Sequence, residues 1–335
     1  MNAARSILVI RRDNIGDLVC TTPLLSALRR THPGAWLGVL ANSYNAPVLE
    51  GNSDIDAVFA YRKLKHLEAG ESAFSALASR ATTLWGLRRR KLDLIVLASG
   101  AQDSRGEKLA RLLAPARVVR SAPARHGQHE VERTFSAAGA LGIEGGIPPL
   151  RVACSADARS RIRAALDRAG LPATHPLFGV HISARRPAQR WPAERFAELI
   201  IAANEEFGAA TLLLWSPGRA DHAKHPGDDE KANAIAGAVG GKAALLPWPT
   251  TALADLIGAL SMCDLLVCSD GGAMHLAAGL GKPIACFFGD SPVARWRPWG
   301  VRHVILQATS HKVEDVPVEQ AMGAIAALLR DRPES

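Results

Sequence analysis

The sequence predicts an α/β protein built as two doubly wound halves. Three observations carry this. Short apolar runs, of the kind that form buried parallel strands, alternate with helical patterns along the chain. A Gly- and Pro-rich stretch at 140–160 divides that alternation into two sets. In each half a glycine-containing loop follows a strand and opens a helix, the place where open α/β sheets bind ligands.

The elements follow in order. SILVI (6–10) is a short apolar run ended by charges and reads as a buried strand. NIGDLVCTTPLLSALRRTHPGA (14–35) gives a loop and then a helix, with Leu24, Leu25 and Leu28 at helical spacing and a stop at Pro33-Gly34. WLGVLA (36–41) is the next strand, and 46–61 gives a short helix, a turn and a strand. Helical patterning covers 71–92, LDLIVLAS (92–99) is a buried strand, 106–115 a helix and ARVVR (116–120) a strand. After the connection, RSRIRAALDRAG (159–170) is a helix with a glycine stop. Strand PLFGVHI (176–182) precedes a helix over 192–208 that starts with proline and ends with glycine. Strands 210–215, 243–248 and 264–269 then alternate with helices 228–240 and 251–263, PIACFFG (283–289) is the last strand expected, and 317–331 closes the chain as a helix.

At 335 residues, two domains are the natural expectation. We place them at 1–155 and 156–316, followed by a C-terminal helical segment, 317–335. Hydrophobic content of 48% and charged content of 21% are those of a globular protein. The formal net charge of +8 favours an anionic partner such as a nucleotide or an anionic membrane face. Nucleic acid is not expected, because aromatics make up only 5% and no binding motif accompanies the charge. Five cysteines without paired short spacing argue against a disulfide framework or a zinc site, and favour a reducing cytoplasm. The four-residue apolar run before Arg11 is too short for a secretory signal, and no run approaches a membrane span.

Three loops carry the candidate chemistry. In RRDNIGDLVCTTP (11–23), Gly16 is expected to permit a tight turn beside Asn14. Asp17 then falls near a helix N-terminus, where it reads either as a helix cap or as an ionised general base facing a cleft. HISARRPAQRWP (181–192) offers Ser183, Arg185, Arg186 and Arg190, and arginine forks match phosphate oxygens; a solvated basic loop is the alternative. In SDGGAMHLAAGLGKPIACFFGD (269–290), Gly271 and Gly272 leave a helix N-terminus bare, so backbone N–H groups up to Ala273 can hold a diphosphate. Asp270 cannot bind phosphate by charge and is read as an organiser of the loop; His275, one turn into the helix, is read either as a buried pin or as a ligand contact. Arg295, Arg297 and two tryptophans at 289–300 border this stretch. Asp221, His222 and His225 have a metal-like spacing, but no matching ligand cluster accompanies them and no metal is expected. Asp228, Asp229 and Glu230 read as caps of the next helix or as a ribose contact. The basic runs 61–66 and 88–91 read as solvated faces or as contacts to an anionic membrane.

Three of these stretches, in this order, resemble the heptosyltransferase-type glycosyltransferases, glycosyltransferase family nine: ILVIRRDNIGDLVCTTPLLSALRRTHP, RRPAQRWPAERFAELI and SDGGAMHLAAGLGKPIACFFGDSPVARWRPWG. The resemblance spans nearly the whole chain. It implies a GT-B architecture, two Rossmann-like domains facing a cleft, the first for the acceptor and the second for the donor, with the C-terminal helix crossing back to the first. It also implies an inverting, metal-independent transfer, without a cofactor, from a nucleotide sugar such as ADP-heptose to a lipid-linked saccharide acceptor of the lipopolysaccharide core. The enzyme would be cytoplasmic or peripheral on the inner face of the cytoplasmic membrane.

By the same resemblance Asp17 takes the general-base position, with Asn14 and Gly16 on the acceptor side. Asp270, Gly272 and His275 take nucleotide-loop positions, and Ser183, Arg185, Gln189 and Arg190 fall in the diphosphate-contacting segment. The chain departs from the family pattern at Gly271, where a hydroxyl residue is usual, and near Gln189, where a lysine is usual; here the nearby cations are Arg186 and Arg190. Those departures leave open a nucleotide-sugar-binding module without catalysis; a GT-B enzyme of other chemistry, such as epimerisation, is a separate alternative.

Overall fold

A computed structural model describes residues 4–61, 73–100, 103–171, 176–221 and 227–330. The chain divides into two compact units, Met1–Ala153 and Cys154–Ser335.

The first unit follows the alternation read from the sequence. Strand β1 (Ser6–Ile10) leads into the short helix α1 (Ile15–Val19) and then α2 (Thr22–Thr31), which carries proline in its first turn. Strand β2 (Trp36–Asn42), a 3-10 turn at Ala46–Leu49 and strand β3 (Ala57–Tyr61) follow. Helix α3 (Ala73–Arg89), β4 (Leu94–Leu97), α4 (Ser104–Leu113) and β5 (Arg117–Arg120) continue the pattern. A further helix, α5 (Glu130–Ala140), was not expected from the periodicity. The strands form one parallel sheet in the order β3-β2-β1-β4-β5. Successive side chains alternate between sheet faces. Leu8 and Ile10 join a core with Leu87, Leu109 and Leu113 under α3 and α4, while α2 packs against α5.

The second unit starts at α6 (Ala156–Arg168), whose first turn is capped by Ser155 donating no charge but accepting from the Ala158 N–H. Strand β6 (Leu177–His181) and a 3-10 turn at Pro187–Gln189 lead to α7 (Ala193–Phe207), which is ended by Gly208 in the left-handed region. Then come β7 (Ala210–Trp215), α8 (Asp229–Val239), β8 (Leu245–Pro249) and α9 (Leu253–Met262). Strand β9 (Leu265–Ser269), α10 (Gly272–Gly279), β10 (Ile284–Phe287) and α11 (Val293–Trp296) carry the last glycine-containing stretch. A sixth strand, β11 (His303–Leu306), lies beyond the last strand expected, and α12 (Val318–Arg330) ends the described chain. The sheet is parallel, in the order β11-β10-β9-β6-β7-β8. Trp191, Phe196 and Phe287 sit at the centre of its core. The C-terminal helix, expected to cross back to the first domain, buries Ala321, Ile325 and Leu328 in this unit's own core and packs on α7.

Candidate active site

Each sheet reverses its strand order once, between β1 and β4 in the first unit and between β6 and β9 in the second. The loops leaving the carboxyl ends of those strands diverge there and leave a crevice. Asn14, Gly16 and Asp17 follow β1, the 183–190 residues follow β6 and 270–275 follow β9, whereas Asp228–Glu230 follow β7 and Arg295 and Arg297 follow β10.

In the first unit the β1 loop is fastened from beneath. The buried Asn42, at the end of β2, donates to the carbonyls of Arg12 at 2.7 Å and Asp13 at 2.9 Å. Gly16 does not make the tight turn expected of it. It is a buried helical residue of α1, outside the positive-φ set. Asp17 is the third residue of α1, and its Oδ2 accepts from the Asn14 backbone N–H at 3.1 Å and from Asn14 Nδ2 at 3.0 Å. The helix-cap reading of Asp17 therefore holds, through a capping interaction with Asn14.

Asp17 Oδ1 accepts from Arg11 Nη2 at 2.6 Å. Arg11 is 1% exposed and lies at the centre of a cluster of charges. The same Nη2 donates to Glu130 Oε1 at 2.8 Å, Nη1 donates to the Ala98 carbonyl at 2.7 Å, and Nε lies 3.1 Å from Asp13 Oδ2. Arg133, one turn along α5, grips Glu130 from the other side, through Nε at 2.9 Å and Nη2 at 2.5 Å. Asp13 Oδ2 also accepts from Ser99 Oγ at 2.8 Å. Burial opposes the Glu130 charge, yet the hydrogen bonds and charges of Arg133 and Arg11 bring its pKa down to about 2. Burial likewise opposes the Arg11 charge, and Asp17, Asp13 and Glu130 outweigh it and hold its pKa above the usual value. Burial pushes the neighbouring Cys20 thiol up, with Asp17 and Glu130 adding to the shift.

In the second unit the switch point is closed by side chains. Gln189 is buried, and its Nε2 donates to Asp270 Oδ2 at 2.9 Å and to Ser291 Oγ at 2.7 Å. Ser269 Oγ donates to the Gln189 carbonyl at 2.7 Å. Burial holds the Asp270 carboxyl above the usual range, against hydrogen bonds from Ser291 and Gln189. Gly271 is the N-cap of α10 and provides no side-chain cap, so the first-turn N–H groups of Gly272 and Ala273 are left to other acceptors. The backbone does not require glycine at 271: φ is 163°, which is extended. His275 is 3% exposed and sets its ring edge-on to Trp296, with centroids 6.0 Å apart.

The basic loop divides. Arg190 Nε donates to the Ala184 carbonyl at 3.1 Å, and Arg186 pairs with Asp290 at 3.4 Å on the surface. Arg185 is exposed. Ser183 Oγ accepts from the Ser216 N–H at 2.9 Å and so ties the β6 loop to the end of β7. Lys231, on α8, donates to the Ile182 carbonyl at 3.2 Å over the ring of Phe196; burial lowers its pKa to about 8. His181 is brought down to about 4 by burial, with Lys231 adding to the shift. Asp229 does not cap α8 with its side chain. It accepts from Trp215 Nε1 at 2.7 Å and from the Gly218 N–H at 2.9 Å, clamping the polar loop. Arg295 and Arg297 stack on Trp296 and Trp299.

His222, His225 and most of the basic run 61–66 lie outside the described residues. Among the described residues no group of three or more His, Cys, Asp or Glu side chains is placed to hold a metal ion, and no helix is long and apolar enough to cross a membrane. The run 88–91 spans the end of α3 and the turn before β4, at the amino end of the first sheet, whereas Asp17 follows its carboxyl end. Arg89 there stacks on Trp85, Arg90 stacks on Trp36, and Arg88 donates to the Leu112 carbonyl.

Sequence reasoning missed Arg11 as a site residue, together with Glu130, Arg133, Ser291 and Lys231. The one available signal was the Glu130/Arg133 pair, at i,i+3 spacing behind His129.

Two parallel α/β sheets, each with one switch point lined by polar loop residues, match the two-domain GT-B fold of the glycosyltransferases. The profile of glycosyltransferase family 9 (heptosyltransferase) matches residues 95–325, and the chain belongs to that family. It is a glycosyltransferase. Lipopolysaccharide heptosyltransferase 3 of Escherichia coli is 26% identical over 307 residues, covering 85% of this chain and 83% of its own. A family 9 glycosyltransferase from Veillonella parvula superposes with a TM-score of 0.84 at 20% identity, covering 99% of both chains. E. coli heptosyltransferase WaaC with ADP superposes with a TM-score of 0.74 at 19% identity, covering 96% of this chain and 99% of its own.

Proposed function

We propose that this enzyme transfers heptose from ADP-heptose to a lipopolysaccharide-core acceptor with inversion and without a metal ion. Family membership and the names of the similar proteins support the substrate class. The observation that carries the chemistry is the geometry of Asp17. A carboxylate offers about four lone-pair positions. Arg11 and the two Asn14 donors take three, and the open one is on Oδ1. That oxygen accepts the proton of an acceptor hydroxyl as the oxygen attacks the anomeric carbon. The ADP group leaves on the opposite face. Its growing charge is met by the N–H groups opening α10 and by the arginines of the β6 loop, so no step requires a metal.

A lipid-linked acceptor implies work at the inner face of the cytoplasmic membrane. The exposed run 88–91, with Arg89 stacked on the exposed Trp85, is either a solvated face or the contact to anionic headgroups.

The test is Asp17→Asn, assayed as ADP release from ADP-heptose with heptose-truncated lipopolysaccharide. Turnover is expected to fall about 100-fold or more, with ADP binding by the second unit retained. Turnover near that of the unmodified enzyme removes Asp17 from the mechanism. A thermal-shift screen in which ADP-heptose stabilises the protein no more than other nucleotide sugars removes the donor assignment.

A further inference from the structure

We infer that Glu130, anchored by Arg133, is a positioning residue that sets how firmly Arg11 holds Asp17, and thereby how well Asp17 accepts a proton. This rests on the reading of Asp17 as the general base. The geometry is a relay of fixed parts. Arg11 Nη2 carries two hydrogens and has two carboxylate partners, Asp17 Oδ1 at 2.6 Å and Glu130 Oε1 at 2.8 Å. The guanidinium plane is rigid. Its other edge is fixed to the Ala98 carbonyl and lies against Asp13, so it cannot turn toward either partner. Glu130 is fully buried at the start of α5 and cannot withdraw, because Arg133 holds both of its oxygens.

The electrostatic consequence follows. A carboxylate closed into a one-to-one pair with a buried guanidinium is a poor proton acceptor, since protonation discards the whole ion pair. Glu130 removes part of that attraction by facing the same nitrogen with a second negative charge. The charged and titratable neighbours are Arg11 and Asp13 after β1, Asp17 and Cys20 on and after α1, and Glu130 and Arg133 on α5. The end of β4 contributes only the Ala98 and Ser99 carbonyls and the Ser99 hydroxyl. Cys20 stays a neutral thiol, and Glu130 stays ionised across any workable assay range. The site therefore presents fixed charges around one base. Arg133, beyond Glu130, contributes a positive charge of opposite effect.

The two α5 residues therefore predict shifts of opposite sign. Glu130→Gln keeps the shape and removes the negative charge. The acid limb of kcat/KM for heptose transfer from ADP-heptose to truncated lipopolysaccharide is expected to move down by about one pH unit. The plateau kcat is expected to fall about 10-fold with KM for ADP-heptose unchanged. Glu130→Asp, which restores the charge, is expected to return the limb to its original position. Arg133→Gln is expected to move the limb upward, and it serves as the reading if Glu130→Gln does not melt cooperatively. A merely structural role lowers the melting temperature and leaves the limb in place in every variant. That result, or shifts of the same sign in Glu130→Gln and Arg133→Gln, overturns the inference. Asp17→Asn separates the two levels. If it retains turnover, the base assignment fails and this inference with it; if it is inactive while the limbs coincide, only the role of Glu130 fails.

Discussion

Gln189 and Asp270 meet across the switch point of the second sheet, with Gln189 Nε2 donating to Asp270 Oδ2 at 2.9 Å. The neutral amide, near the place where the family pattern has a lysine, is spent on organising the loop. Its other hydrogen goes to Ser291 Oγ at 2.7 Å, so one side chain joins the β6, β9 and β10 loops. In the proposed reaction the charge facing the diphosphate comes from the arginines of the loop and from the open turn of α10.

Removing that amide should cost stability before it costs chemistry. Gln189→Ala leaves Asp270 and Ser291 partly buried with a donor missing, a loss of about 1–3 kcal/mol. Gln189→Glu should be worse at neutral pH, because it sets a second carboxylate against Asp270, and acidification should relieve it. Urea melts at pH 7 and pH 5 check both. A Gln189→Glu variant as stable as the parent at pH 7 contradicts the geometry.

Gly271 is open to a side chain. A Cβ built there meets only the Ser269 carbonyl, at 3.9 Å, and its φ of 163° is extended backbone that any residue adopts. Gly271→Ser should therefore be tolerated and should cap α10, with a gain of a few tenths of a kcal/mol. Gly281, just beyond the same helix, has φ +75°. Gly281→Ser should cost about 1–2 kcal/mol through left-handed strain. Paired thermal melts decide, and a Gly271→Ser that destabilises as much as Gly281→Ser is the contrary result.

The central strands β1, β4 and β9 were legible because each is a short apolar run buried on both faces, as with SILVI and DLLVCS. The loops that follow them stood out through glycine and charge. Helix α5 did not, because its inward face sets Glu130, Arg133 and Thr134 among Val131, Ala137 and Ala138, and the charged pair breaks the apolar pattern. Hydrophobic periodicity cannot see a charged core. The same limit hid Arg11: two adjacent arginines look solvated, whereas both are buried, the first by partners just after β4 and on α5, which are remote in sequence. Strand β11 was lost for another reason. Its HVIL is half-buried at the sheet edge and follows the Trp- and Arg-rich turn that drew the eye. Gly16 shows the limit of reading glycine as a turn signal, since here it is a buried helical residue of α1.

Gly289 has no such room. A Cβ there would lie 2.4 Å from the Ala188 carbonyl oxygen and 3.2 Å from that of His311, both backbone atoms. Gly289→Ala must push the 3-10 turn that carries Gln189, at a cost of about 1–3 kcal/mol. Calorimetry with ADP should show weakened binding in this variant. Unchanged melting and unchanged ADP affinity together would show that the turn yields freely.

Acid should weaken the two units in different windows. His181, at the end of β6, is lowered by burial and by Lys231 to about 4 from an ordinary 6.5. Its folded form binds fewer protons than the unfolded chain between those values, so stability falls as pH drops from 6.5 to 4. Between pH 7 and pH 5 this is about 2 kcal/mol. Glu130 acts lower. Its folded pKa of about 2 lies below the ordinary 4.5, so its contribution is complete above 4.5 and disappears as pH falls toward 2. The second unit should therefore loosen first on mild acidification, while the charge cluster of the first holds to lower pH. Hydrogen exchange at pH 7, 5 and 3.5 resolves the order. His181→Asn, which cannot titrate, should abolish the pH 7 to 5 decline in the second unit and leave the lower window intact. A decline that survives that substitution assigns the acid sensitivity to another group.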